Sequence, residues 1–179
     1  KRLSALVKEM EAGGASYEGA EASFELLVER HKPDYVAPFT IVDFTVIVEQ
    51  REASAPRAQA TVRVQVGGED LHTASDGNGP VNALDRALRK GLGAFYPQLD
   101  AVHLVDYKVR ILDGGSATGA KTRVVIESVA GGEAWSTMGV GENIISASAL
   151  ALADSLEYAL LKNGGTVERR SERNVPTGR

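Results

Sequence analysis

The sequence predicts an α+β domain in which one βββα unit is written twice. Three observations carry this. Val42-Asp43-Phe44 through Leu92 is answered by Val105-Asp106-Tyr107 through Leu156. In each half the apolar residues run with a period of two through three stretches and then change to the 3.6 period of a helix. Both halves also place a glycine pair, Gly67-Gly68 and Gly131-Gly132, between the second and third stretches. The landmarks lie about sixty residues apart, beyond the 20–50 of ordinary solenoid repeats. The reading is therefore a single pseudo-twofold domain with antiparallel sheets and helices packed on one side.

Before the duplication, Leu3, Leu6, Val7 and Met10 at helical spacing predict a helix over 3–12 that Gly13-Gly14 stops. A second helix is expected from Glu18 to His31, ended by Lys32-Pro33, because the residue before a proline is pushed out of the helical region. Residues 1–33 form a helical segment that reads either as a surface appendage or as a linker docking on another domain.

The first unit, about 39–95, begins with Val42, Phe44, Val46 and Val48 expected on one strand face and Asp43, Thr45 and Glu49 on the other. Val62, Val64 and Val66 mark the second strand and Asp70 to Ala74 the third. From Pro80 to Leu92, Val81, Leu84, Ala87, Leu88, Gly91 and Leu92 form a helical stripe. The second unit, about 102–161, repeats the plan. Val105, Tyr107, Val109 and Ile111 come first, then a Gly-rich loop from Asp113 to Gly119, strands over Thr122–Val129 and Ala134–Met138, and a helix from about Asn143 to Leu161. Residues 34–163 are thus one domain, and the polar, Arg-rich tail over 164–179 is expected to be disordered.

At 179 residues the chain can bury a real core. Twenty-four acids against 20 Lys and Arg argue against a global nucleic-acid or anionic-membrane footprint. The absence of cysteine excludes disulfides, thiolate metal sites and Cys nucleophiles. No apolar run is read as a membrane span, the first residues lack a signal-peptide core, and a start at Lys1 suggests a piece of a longer protein.

Candidate chemistry gathers where the copies differ, in the turn before each helix. The first reads Asp76-Gly77-Asn78-Gly79-Pro80-Val81-Asn82, the second Val140-Gly141-Glu142-Asn143-Ile144-Ile145-Ser146. Pro80 suits a first helical position, while Gly77 and Gly79 would let backbone approach a ligand with no Cβ in the way. Exposed N–H groups at the positive end of the helix dipole then suit a small carboxylate or phosphate. The same residues also read as a plain tight turn in which Asn78 or Gly79 caps the helix. His31, His72 and His103 are scattered and point to no metal, and Asp43 with Asp106 would form an acid/base pair only if the pseudo-symmetry brought them together. Trp135 reads as an apolar anchor.

The doubled unit, the Asp76-to-Pro80 turn, Leu104-Val105-Asp106-Tyr107 and the segment from Trp135 to Ser148 resemble the C-terminal regulatory domain shared by 2-isopropylmalate synthases and citramalate synthases. Tyr17 to Leu27 is similar to the segment joining that domain to the catalytic part, especially in citramalate synthases. The resemblance implies a parent acyltransferase of branched-chain amino-acid biosynthesis that condenses acetyl-CoA with a 2-oxo acid on a metal-bearing barrel. That barrel and its His-x-His motif are missing here, so the chain alone is expected to have no catalytic residues, cofactor or metal. It further implies a cytoplasmic homodimer that binds a branched-chain amino acid as feedback inhibitor, isoleucine favoured, or leucine. Effector contacts would fall on Gly77, Asn78, Gly79, Val81, Asn82, Leu104, Tyr107, Ile111 and Ile144. Leu104 has the opposite strand parity to Tyr107 and Ile111, so the three share a pocket only if the strand begins or bends there. Two other readings stay open: a purely structural dimerisation domain without ligand, and a free-standing enzyme or RNA-binding module using Arg63, Lys108 and Arg110. The acidic balance and the lack of an aromatic platform argue against RNA.

Overall fold

In the computed structural model, which describes residues 2–52, 54–112 and 120–164, the elements run α1 (Arg2–Ala12), α2 (Glu21–Glu29), β1 (Thr40–Glu49), β2 (Arg57–Val66), β3 (Glu69–Gly77), α3 (Pro80–Leu92), β4 (His103–Ile111), β5 (Thr122–Ala130), β6 (Glu133–Gly141) and α4 (Ile144–Lys162). The strands form two antiparallel three-stranded sheets, β1-β2-β3 and β4-β5-β6. The duplicated βββα plan holds. A short 3₁₀ helix over Pro97–Ala101, which the sequence reading left unassigned, leads into β4. The loop over 113–119 and the tail from residue 165 lie outside the described residues.

The β2–β3 and β5–β6 hairpins close on Gly67-Gly68 and Gly131-Gly132, all four at positive φ between 55° and 85°. Two consecutive left-handed residues are what a two-residue hairpin with native twist demands, which is why both copies keep the glycine pair. On one face of each sheet lies its own helix, and both copies fasten it in the same way: Thr73 Oγ1 donates to the Ala87 carbonyl at 2.8 Å and Thr137 Oγ1 to the Ala151 carbonyl at 2.8 Å. One core unites the two units, with Val62 and Val64 from β2, Val124 and Ile126 from β5, and the leucines at 84, 88 and 92 of α3 and 152, 156 and 160 of α4. At roughly 1.5–3 kcal/mol per buried side chain of this size, that shared core dominates the stability of the pair.

Two expectations are corrected. Val42 is not on the core face of β1: the β1–β2 register shifts between Ile41 and Asp43, leaving Val42 as a bulge residue that is 48% exposed, while Ile41 takes its place against the core. Val105 does the same in β4, between Leu104 and Asp106. One extra residue inverts the alternation on its N-terminal side, which a strict period of two cannot anticipate. Second, α4 is long and apolar enough to cross a membrane by length and composition, contrary to the reading that no such run exists; more than half of it is buried inside the fold, as a core helix requires.

The segment before the duplication packs on the second unit. β6 is an edge strand, and the Met138 N–H at that edge donates to Ser23 Oγ of α2 at 2.9 Å. Ala15, Ala20 and Met138 form a small separate apolar cluster with Tyr17 and Val125 against it. The segment thereby covers an edge that would otherwise template association.

Candidate functional site

Helix α3 opens at Gly79, whose φ of −163° and ψ of 170° are extended backbone open to any residue. Gly79 has no side chain with which to cap the first-turn N–H groups, and Pro80 has no N–H to satisfy. The first-turn donors therefore face outward at the positive end of the dipole. A Cβ at Gly79 would meet nothing within 4 Å. Beside it, Asn82 Oδ1 accepts from the Asn78 N–H at 3.2 Å, and Arg86 Nη1 donates to the Asp76 carbonyl at 3.2 Å, so the turn is held from below. Gly77 has a different reason from the one its sequence suggests. A Cβ there would stand 2.4 Å from Ala83 N and 2.7 Å from Ala83 Cα, so its missing side chain makes room for α3 itself. Val81 is half-buried against the core.

The remaining predicted contacts lie at β4 and the start of α4. The bulge at Val105 resolves the parity conflict, since it turns Leu104 to the same side as Tyr107, and both pack against the core. Ser148 Oγ spends its hydrogen on the Ile144 carbonyl at 2.6 Å, so Tyr107 OH is the donor in its 2.8 Å bond to Ser148 Oγ. Tyr107 and Ile144 are thereby joined through one serine. Ile111 stands apart at the far end of β4, 66% exposed, in the wall of a cavity of about 480 Å³ that it shares with Gly13, Gly14, Lys121 and Arg123. The structure thus forms two groups, the turn at α3 and the Tyr107–Ile144 cluster at α4.

Sequence reasoning missed a cavity of about 600 Å³ between the start of β1 and α4, lined by Ile41, Phe44, Ser146, Ala149 and Leu150 among others. Its counterpart in the other copy, between the start of β4 and α3, holds an ion pair. Arg89 Nε reaches Asp85 Oδ1 at 2.9 Å, and Arg89 Nη1 donates to the Leu99 and Val102 carbonyls at 3.2 and 2.8 Å. Burial pushes the Asp85 carboxyl up and Arg89 pulls it back. Superposing the halves residue by residue, with Asp85 over Ala149 and Arg89 over Ala153, was the available signal.

The other sequence candidates resolve plainly. Asp43 pairs with Arg63 at 3.6 Å and Asp106 with Lys108 at 2.6 Å, each on its own sheet. Among the described residues no group of three or more His, Asp or Glu is arranged to hold a metal. Trp135 packs against the core and donates its indole N–H to Ser155 Oγ at 3.2 Å.

A family model for the LeuA allosteric (dimerisation) domain matches residues 18–160. The chain is 52% identical over 158 residues to an (R)-citramalate synthase of Geobacter sulfurreducens, covering 88% of this chain and 30% of that protein. It is 49% identical to an (R)-citramalate synthase of Aquifex aeolicus, covering 91% of this chain and 31% of the relative. A 2-isopropylmalate synthase of Aquifex aeolicus is 32% identical over 150 residues, 84% of this chain and 26% of that protein. The chain thus spans less than a third of the length of these relatives.

Proposed function

This chain belongs to the LeuA allosteric (dimerisation) domain family, and from that premise we propose that it is the amino-acid-sensing part of a citramalate synthase-like enzyme. The parent would condense acetyl-CoA with a 2-oxo acid on a separate catalytic barrel in the cytoplasm. This chain would do no chemistry itself, need no cofactor, and bind a branched-chain amino acid, isoleucine ahead of leucine, as a homodimer. The observation that carries the reading is the uncapped start of α3 at Gly79-Pro80. An α-carboxylate there gains about 0.3–1 kcal/mol from the dipole. An aliphatic side chain buried on the apolar surface beside Val81 gains roughly 1.5–3 kcal/mol, and Leu104, Tyr107 and Ile144 at α4 form a second, separate group of expected contacts. Asn78, Asn82 and nearby carbonyls offer acceptors to the ammonium. Exposed apolar residues on the outer strands, Ile47 and Val48 of β1 and Val109 and Ile111 of β4, suit a partner copy.

Thermal melting with isoleucine, leucine and valine tests this. At about one hundred times the dissociation constant, linkage gives about 2.7 kcal/mol of added stability. Isoleucine and leucine differ in branching alone, so the pocket is expected to separate them by no more than about 1–3 kcal/mol. A melting temperature indifferent to all three contradicts the sensor reading and leaves a structural dimerisation domain. That second reading has one observation in its favour, since Gly77 serves helix packing.

A further inference from the structure

We propose that α4 is the element through which a bound effector acts on the preceding segment, and that Arg30 is the residue that couples them. The inference rests on the effector reading above. The N-terminal part of α4 carries the second of the two groups of expected effector contacts, in which Ser148 Oγ joins Tyr107 OH to the Ile144 carbonyl. Farther along the same helix, about 9–14 Å at the helical rise of 1.5 Å per residue, Asp154 and Glu157 grip the segment that precedes the duplication. Arg30 Nη2 reaches Asp154 Oδ1 at 2.7 Å and Glu157 Oε2 at 2.6 Å, and Arg30 Nε reaches Glu157 Oε1 at 2.9 Å. Ser23 Oγ donates to Asp154 Oδ2 at 2.7 Å, and Tyr35 OH donates to Glu157. The Glu157 side chain is only 6% exposed, so its carboxylate oxygens are satisfied by these partners rather than by water.

The other copy shows that this grip is not a by-product of the fold. Where α4 has Asp154 and Glu157, the first copy has Lys90 in α3 and Gly93 just after its last residue, and Lys90 Nζ merely returns to the Ala74 carbonyl of its own sheet. Acids that seize α2 and the following turn occur on the helix whose start lies beside Tyr107. A helix is stiff over three turns, so a change in the seating of Tyr107 on Ser148 reaches Asp154 and Glu157 as a shift of the whole rod. A bidentate guanidinium on a buried carboxylate transmits such a shift better than apolar contact would, because its geometry is directional.

The test is amide hydrogen exchange of the α2 segment, with and without saturating isoleucine, on the wild-type chain and on Arg30→Gln, each paired with a calorimetric titration. The wild type is expected to bind isoleucine and to change the exchange of residues 21–30 severalfold. Arg30→Gln is expected to bind with near wild-type affinity and lose that change. Bound isoleucine that leaves wild-type α2 unmoved overturns the coupling alone, as does a full response in Arg30→Gln. No binding to the wild type overturns the effector reading and the coupling with it. If Arg30→Gln does not fold, Tyr35→Phe, which removes one hydroxyl from the same carboxylate, is expected to weaken the response; an undiminished response there also overturns the coupling.

Discussion

The two copies begin their helices differently. Asn143 caps α4, its Oδ1 accepting from the Ser146 N–H at 2.9 Å, whereas α3 starts at Gly79 with no side-chain cap on its first-turn N–H groups. They also pack their helices differently. Where the first copy has Val64, Gly91 and Leu71, the second has Ser128, Ser155 and Trp135, with Ser128 and Ser155 bonded at 2.7 Å and Trp135 Nε1 on the same hydroxyl. The common features, the paired hairpin glycines, the bulges at Val42 and Val105 and the threonine-to-helix bonds, are those the backbone needs. The differences fall on helix ends and helix faces. A duplicated unit thus keeps its geometry in both copies, while one helix is left open at its start and the other is closed there and tied to the preceding segment.

The largest expected effect lies where α4 approaches its sheet. A Cβ on Gly139 would stand 2.0 Å from the Ala147 carbonyl oxygen and 2.8 Å from Leu150 Cβ. The first copy carries Ser75 at this position. Gly139→Ser is therefore expected to destabilise the chain by about 1–3 kcal/mol through overpacking, and Ser75→Gly by roughly 0.5–1 kcal/mol from backbone entropy alone. Denaturant unfolding of the pair checks this, and equal losses would mean that the two helices sit equally far from their sheets.

A smaller effect separates the helix starts. Asn143→Ala removes a working cap and is expected to lose about 1 kcal/mol. Gly79→Val, in extended backbone with open space around the new Cβ, is expected to stay within about 0.5 kcal/mol of the wild type, as surface substitutions generally do. Comparable losses would show that Gly79 already serves the fold.

Much of this was legible in the sequence because duplication states each pattern twice. The span of α3 was read to its end residues, and the strand order followed from the hairpin glycines. The third strands run longer than expected, to Gly77 and Gly141, because their last residues, Ser75-Asp76-Gly77 and Gly139-Val140-Gly141, show no apolar alternation although they pair in full. The bulges were invisible because Val42 and Val105 look like good core residues. α2 is shorter than the expected Glu18–His31, spanning Glu21–Glu29, because Glu18 and Gly19 precede the helix in a turn. Its grip on α4 joins residues more than a hundred positions apart, beyond the reach of local pattern. Within the candidate site, the helix start at Gly79-Pro80 was readable, but the packing reason for Gly77 and the outlying place of Ile111 depend on neighbours that only the fold supplies.

The central claim is that the open start of α3 receives an amino-acid carboxylate, and calorimetric titration of isoleucine and leucine into the wild type and Gly79→Val, with a melting curve for each protein, tests it most directly. The account predicts a wild type that binds and a Gly79→Val chain that melts like the wild type without ligand and binds neither amino acid, because its side chain occupies the space over the first-turn donors. A folded Gly79→Val chain that retains wild-type affinity would contradict it.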